Sequence, residues 1–324
     1  MIPNFFPTSQ SPKRDAAGTT WQKVAIAVVH GIGAGDPDYN SGKADQPEFI
    51  RSLQDNLIDR FSKLGISTKE YHQRFVMAPV YWATVLENNQ QDLWARFQRQ
   101  SAMNWDRIRE FMVSFVSDAI AYQVSPRGRH SYHAIHRFCA QTLHTLAQEA
   151  GPKAPLCMIG HSLGSIVSYN YLLDLQAEFG NNTEAESLFR ESVLRQVGDS
   201  PLERGETLSL YYTLGSPLAL WTLRDRDGGL PIQFPAPRLT EHYPQLKSAT
   251  EWVNIYDSDD VIAYPLRPIN SAFQRAVKED LNVNAGEVWE SWNPLSHNGY
   301  WQNPTTGDRI ARSLLNLSRM INGR

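Results

Sequence analysis

The chain has 324 residues, with 31 basic and 34 acidic side chains and a formal net charge of −3. Because the charge is small and no block of like charge occurs, the sequence argues against a general nucleic-acid-binding surface. The chain is long enough to bury a sizeable core, but its longest purely apolar runs, about six residues, are far below the roughly 20 needed to span a membrane.

The amino-terminal stretch, residues 1–20, is rich in Pro, Ser and Thr and predicts a flexible tail without the apolar core of a secretory signal. The only cysteines, Cys139 and Cys157, are expected to be free buried thiols. These features favour a cytoplasmic protein. They leave peripheral contact with a membrane and the oligomeric state open. Length alone allows one α/β domain with insertions or two domains, and we assign residues 21–324 to one domain.

The first predicted strand, Val24–Val29, runs directly into a Gly-rich segment, His30-Gly-Ile-Gly-Ala-Gly35. Such a turn can cradle phosphate, but this one has neither a G-x-G-x-x-G pattern nor a Walker lysine. The alternative is an oxyanion loop, in which small residues let a backbone N–H face a reaction centre. In that interpretation Ile32 supplies the amide.

A helix is predicted over 47–64 and a strand over 75–82, followed by a helical insertion over about 86–150. The aromatic-rich apolar spacing of the insertion fits a cap that presents an apolar surface to an acyl chain. It also fits ordinary packing of helices onto the core.

Four histidines cluster on the helix predicted over 131–149 and just before it, and such a cluster could bind a metal ion. No glutamate stands in an H-E-x-x-H arrangement, so the spacing favours a solvated polar face over a metal site. No cofactor is predicted. The histidines are His130, His133, His136 and His144.

The centre of the chain is a strand–turn–helix pattern around Gly160-His-Ser-Leu-Gly164. An apolar run precedes this G-x-S-x-G motif and an apolar helical pattern follows it, which is the context that a nucleophile elbow requires. The residues two before and two after the serine must be small, because side chains there would strike neighbouring backbone. The turn makes Ser162 a candidate nucleophile and places the Leu163 amide at a helix N-terminus, where it can stabilise an oxyanion.

Two further strands are predicted, over 208–214 and 252–256, with a Pro-rich loop over about 217–250 between them. The second of these strands is followed by three aspartates, Asp257, Asp259 and Asp260. Catalytic groups gather at the carboxyl ends of parallel strands, so each of the three qualifies as the acid of a triad.

A serine hydroxyl needs a base, and an elbow architecture orders its triad as Ser, acid, His along the chain. Beyond Ser162 only His242 and His297 remain. His242 precedes the aspartates, so His297 is the predicted base. A closing amphipathic helix is predicted over 308–321.

Taken together, these motifs resemble those of the α/β-hydrolase superfamily, in its lipase and esterase branch, in the family's order. The resemblance implies an α/β-hydrolase fold, a mostly parallel sheet flanked by helices with a helical cap. It also implies Ser162, His297 and Asp260 as the triad, since Asp260 stands two before Ile262 and shortly before Pro265; Asp259 is the fallback. The Ile32 and Leu163 amides would form the oxyanion hole. The matching segments are Val28-Val-His-Gly-Ile-Gly33, Gly160-His-Ser-Leu-Gly164, Thr213-Leu-Gly-Ser-Pro217, residues 254–265 and Ser296-His297.

The expected function is that of a serine hydrolase that cleaves a carboxylic ester, with a lipid or other long-chain acyl ester as the preferred substrate class. A thioesterase, an esterase for small soluble esters or an amidase would use the same triad. A binding protein that retains the fold with an idle site is the alternative from another class. A nucleotide-binding protein is a third hypothesis, which the missing phosphate-binding lysine disfavours.

Overall fold

The protein, in a computed structural model, is described here for residues 21–31, 36–86, 116–123, 129–180, 187–286 and 296–323. Within these ranges six strands form one sheet in the order β2-β1-β3-β4-β5-β6, and all five pairings are parallel. The strands are β1 Val24–Val29, β2 Phe75–Val80, β3 Leu156–His161, β4 Leu208–Leu214, β5 Glu251–Tyr256 and β6 Glu279–Asn282.

Helices flank the sheet and supply most of the connections between strands. Helices α2 and α10 pack together, and α10 also contacts β1. Helices α4 and α5 pack together as well and contact β1, β2 and β3. The helices are α1 Pro37–Asn40, α2 Glu48–Lys63, α3 Thr68–Arg74, α4 Arg129–Ala150, α5 Leu163–Phe179, α6 Glu191–Leu194, α7 Leu218–Trp221, α8 Leu239–His242, α9 Ser271–Ala276 and α10 Pro304–Asn322.

The central strands are buried along their whole length, which explains their continuous apolar sequences. Every residue of β1, β3 and β4 is buried, as expected for parallel strands covered on both faces. The predicted α/β class with a parallel, helix-flanked sheet is therefore confirmed. The strand order extends the doubly wound 2-1-3-4-5 arrangement by one strand, and this order alone does not identify an α/β-hydrolase.

The register of the sheet brings the carboxyl ends of the central strands to one edge. Val29 of β1 pairs with Gly160 of β3, and Leu214 pairs with both His161 of β3 and Ile255 of β5. The order of connections reverses between β1 and β3, and ligands of open α/β sheets bind in the crevice at such a switch point. The segments that follow β1, β3, β4 and β5 therefore meet there.

The structure contains elements that the sequence pattern did not predict, among them α9 and β6, and it extends another. Helix α9 and strand β6 lie in a stretch without clear periodicity. Helix α10 begins at Pro304 rather than at residue 308, because the side chain of Asn303 caps it by accepting a hydrogen bond from the Thr306 amide at 3.0 Å.

Part of the predicted insertion lies outside the described residues, namely 87–115 and 124–128. Residues 116–122 are helical, and α4 packs on β1 and β2. No helix in the described ranges is both long and apolar enough to cross a bilayer.

Of the four histidines of α4, His130 and His144 are exposed, as the predicted solvated face requires, whereas the other two are not. His133 and His136 are buried, and His136 Nε2 lies 2.8 Å from the Tyr122 hydroxyl. The prediction was wrong for these two residues because the face of α4 that carries them packs inward, where His136 Nδ1 lies 3.5 Å from Asp174 Oδ2. In the part of the chain that is described, no three His, Cys, Asp or Glu side chains are grouped to hold a metal ion.

Candidate active site

Ser162 occupies a strained turn between β3 and α5. Its φ of 54° and ψ of −130° lie in a region that L-residues rarely adopt, at a cost of about 1–3 kcal/mol. The backbone N–H of Ser162 donates to the Leu214 carbonyl at 2.9 Å, which extends the β3–β4 ladder into the turn. The side chain is only 1% exposed. A strained strand-to-helix turn at the switch point is the backbone geometry expected of a nucleophile elbow.

Three glycines let the backbone close around this turn. A Cβ at Gly31 would lie 2.5 Å from Ser162 Cβ, and a Cβ at Gly160 would lie 2.7 Å from Ser165 Cα. A Cβ at Gly164 would overlap the backbone carbonyls of Val29 and His30. The small residues of the G-x-S-x-G motif are therefore required by contact with backbone.

Replacing Gly164 by alanine is expected to destabilise the protein, although alanine is ordinarily the better helix former by about 1 kcal/mol. The new methyl group would meet carbonyls at the end of β1, and backbone in a central strand cannot move aside cheaply. We expect a loss of at least about 3 kcal/mol in the free energy of unfolding, measured by urea denaturation.

Gly65→Ala provides the comparison, because that glycine has open space around it and only a left-handed φ of 79°. Its expected loss is about 1–2 kcal/mol. Equal losses in the two variants would contradict the close approach of α5 to β1.

The structure brings His297 and Asp260 into direct contact. His297 Nδ1 lies 2.7 Å from Asp260 Oδ2, and both side chains are buried. The other carboxylate oxygen, Oδ1, accepts the backbone N–H of Ile262 at 3.0 Å. Burial raises the pKa of Asp260, but the hydrogen bond and charge of His297 outweigh it, so the net pKa is lowered. An ionised Asp260 can fix the tautomer of the His297 imidazole.

The other two aspartates lie elsewhere. Asp257 accepts the backbone N–H groups of Asp259 at 2.9 Å and Ala285 at 2.7 Å, so its carboxylate holds the turn together. The side chain of Asp259 is exposed. Among the three candidates, Asp260 is the one that pairs with His297.

Tyr300 is a contact of the acid that the sequence did not single out. Its hydroxyl donates to Asp260 Oδ2 at 2.9 Å and accepts the Asp257 N–H at 2.9 Å. Burial, together with the charge of Asp260, raises the pKa of Tyr300, so the phenol remains protonated and donates. Its position three residues after His297 was visible in the sequence, but nothing in the pattern indicated a hydrogen bond to the acid.

The backbone that carries His297 is anchored beside the elbow. His161 Nε2–H donates to the His297 carbonyl at 2.6 Å, and the two rings lie 4.8 Å apart. A Cβ at Gly215 would lie 3.2 Å from His297 Cε1, which places the far edge of the imidazole next to the residue that follows Leu214. Because the Leu214 carbonyl accepts the Ser162 amide, the His297 ring lies beside the end of the strand that holds the Ser162 turn.

Ser162 Oγ makes no hydrogen bond to any described residue, His297 included. In unliganded sites the nucleophile–base contact is often long and tightens only when substrate binds. In this structure His297 and Asp260 are therefore in contact, and Ser162 is buried in the same part of the molecule.

Of the two predicted oxyanion donors, Ile32 and Leu163, the structure describes only Leu163. Ile32 lies outside the described residues. Leu163 is the first residue of α5, and the first amides of a helix have no partner within it and carry partial positive charge.

His30 fixes the backbone at the end of β1. Its Nδ1–H donates to the Gly31 carbonyl at 2.6 Å, and its Nε2 accepts the Trp82 backbone N–H at 3.0 Å. This pairing assigns a neutral imidazole protonated at Nδ1. Burial lowers the pKa of His30 to about 4, in agreement with a neutral ring.

These buried neutral histidines predict acid lability. Burial lowers the pKa of His30 to about 4 and, with the charge of His297, that of His161 to about 3; burial also lowers the pKa of His136. Below pH 6.5 the unfolded chain protonates these rings while the folded chain does not. Because the unfolded state then binds more protons, the free energy of unfolding falls as pH falls.

Near pH 5, His30 and His161 each contribute about 1.4 kcal/mol per pH unit to this slope, roughly 3 kcal/mol per pH unit together, and His136 acts in the same direction. Urea denaturation between pH 7.5 and 5 measures this slope, above the range in which carboxylates titrate. His161→Asn, which retains a donor for the His297 carbonyl, should lower the slope by about 1.4 kcal/mol per pH unit. An unchanged stability down to pH 5 would contradict the assignment of neutral buried rings.

Comparisons of the chain with models of protein families, with curated proteins and with solved structures found no match. Function is therefore inferred from the geometry of this site and from the motifs that produce it.

Proposed function

We propose that the protein is a serine hydrolase of the α/β-hydrolase type that cleaves a carboxylic ester with Ser162, His297 and Asp260. The observation that carries the proposal is the 2.7 Å contact between His297 and Asp260 at the strand edge where Ser162 sits in its strained turn. The connections support it further, because serine, acid and base follow β3, β5 and β6 in the chain order of an elbow triad.

The mechanism is a two-step acyl transfer. His297 Nε2 takes the proton of Ser162 Oγ as this oxygen attacks the ester carbonyl, and Asp260 stabilises the resulting imidazolium. The carbonyl oxygen becomes an oxyanion that the Leu163 and Ile32 amides stabilise. His297 then protonates the departing alkoxide to leave an acyl-serine, and water repeats the cycle to release the acid.

Esters with a long acyl chain are the preferred substrates in this proposal. The segments after β4 and β5, at the same edge as Ser162, carry large apolar side chains that are exposed. Val261 and Leu223 are 81% and 78% exposed, and Leu220 and Tyr264 are exposed as well. Exposed apolar side chains grouped near a site are typical of binding surfaces for apolar ligands or membranes.

The experiment is labelling of the purified protein with a fluorophosphonate probe, followed by mass spectrometry of the labelled peptide. We expect a single adduct on Ser162, absent in Ser162→Ala and retained in Ser41→Ala, an exposed serine. Hydrolysis of p-nitrophenyl esters from acetate to palmitate, with a thioester and an anilide of the best acyl group, then assigns the substrate class. A folded protein that neither labels nor hydrolyses any of these would favour the non-catalytic binding protein.

A further inference from the structure

A chain of buried hydroxyl groups runs from the loop after β4 to the backbone of the candidate nucleophile. Ser165 Oγ lies 2.6 Å from the Ser162 carbonyl oxygen and 2.6 Å from Ser216 Oγ. Ser216 Oγ in turn accepts the backbone N–H of Leu218 at 3.1 Å. Both serine side chains are fully buried.

The direction of these hydrogen bonds follows from their ends. A carbonyl oxygen only accepts, so the Ser165 hydroxyl donates to Ser162, and its single proton is then used. At the contact between the two hydroxyls, Ser216 must therefore donate to Ser165. Three donors point the same way, toward the Ser162 carbonyl, and hydrogen bonds aligned in such a chain strengthen one another.

This carbonyl belongs to the same peptide unit as the Leu163 amide. The unit is trans, since the only cis peptide bond in the described residues precedes Pro235, and in a planar trans unit the C=O and N–H point in opposite directions. The Ser165 amide also donates to the Ser162 carbonyl, at 3.0 Å. Fixing the carbonyl from one side therefore fixes the direction of the Leu163 N–H on the other.

We propose that Ser165 and Ser216 are positioning residues that hold the Leu163 amide in the direction of the oxyanion. The proposal rests on the function proposed above, for which Leu163 is an oxyanion donor. Neither serine touches the reacting atoms. Their effect acts through the peptide unit that follows Ser162.

The test compares Ser216→Ala with Ser168→Ala. Ser168 is a matched control, because it is a buried serine of α5, the helix that carries Ser165, and its hydroxyl donates to a backbone carbonyl, that of Ser165 at 3.0 Å. An oxyanion donor is worth roughly 10²–10³ in kcat, so misdirecting one is expected to cost about 10-fold or more. We expect Ser216→Ala to lower kcat with little change in KM, and to weaken binding of a trifluoromethyl ketone, whose adduct carries an oxyanion, by the same factor.

Ser168→Ala is expected to leave both quantities within about twofold, whatever its effect on stability. Ser216→Cys keeps a side chain of similar size with a weaker donor, so its kcat and ketone affinity should lie between those of wild type and Ser216→Ala. This variant replaces Ser216→Ala in the test if the alanine variant does not fold. Unchanged kcat and unchanged ketone affinity in the Ser216 variants would overturn the inference while leaving the hydrolase intact. A wild type without turnover or ketone binding would instead refute the proposed function, and this inference with it.

Discussion

Ser162→Ala is expected to lower kcat for ester hydrolysis by up to about 10⁶-fold. The substitution removes the only atom that can form the acyl-enzyme, and what remains is the stabilisation from the oxyanion donors and from substrate binding. His297→Ala should be comparably slow. Because the two residues act as a unit, the double variant should be little worse than either single variant. Single-turnover kinetics with the best p-nitrophenyl ester measures these rates.

Ser162→Gly separates loss of chemistry from loss of structure. Glycine adopts the positive φ of 54° at this position without strain, so this variant should be as inactive as Ser162→Ala and yet more stable than wild type, by about 1 kcal/mol or more. Turnover near the wild-type rate in either variant would refute the assignment of Ser162 as nucleophile.

Asp260→Asn is expected to lower kcat by about 10⁴-fold, the loss typical of a triad that has lost its acid. The carboxylate accepts hydrogen bonds from His297, Tyr300 and the Ile262 amide. An asparagine NH₂ in place of Oδ2 would donate to His297 Nδ1. This favours the tautomer of His297 that carries its proton on Nε2, which cannot accept the serine proton. The steady-state rate, with KM determined in parallel, measures the effect.

The neighbouring aspartates are the controls for this prediction. Asp259→Asn should stay within about twofold of the wild-type rate, since its side chain is exposed. Asp257→Asn should instead lower stability by about 1–3 kcal/mol, because its two oxygens accept two backbone amides. A 10⁴-fold loss in either control, with Asp260→Asn active, would contradict the pairing.

The sequence predicted the parts of the site that depend on local geometry. A serine flanked by glycines between an apolar run and a helical pattern has few structural alternatives, and the structure shows the strained turn at Ser162. The choice of His297 followed from chain order, and its contact with Asp260 agrees with the family pattern. Their catalytic roles, and the oxyanion role of Leu163, remain predictions.

Other contacts could not be predicted from the sequence because they join residues that are distant in the chain. Ser165 and Ser216 are 51 residues apart, and buried serines have the same sequence signature as surface ones. Strand β6 is short and polar, so it is specified by its pairing with β5 rather than by its own pattern. His136 is buried because tertiary packing decides which side of α4 faces inward.

The long separation in sequence between Ser162 and His297 also has a consequence for how the protein is synthesised. Ser162 leaves the ribosome well before His297, the proposed base. Its neighbour His161 is 136 residues from His297, and translation of that stretch takes about 7–27 s at ordinary rates. During that interval the strained turn has neither its imidazole nor the α10 helix that packs behind β1. In the proposed mechanism, a nascent or truncated chain that lacks residue 297 therefore carries a serine without its base.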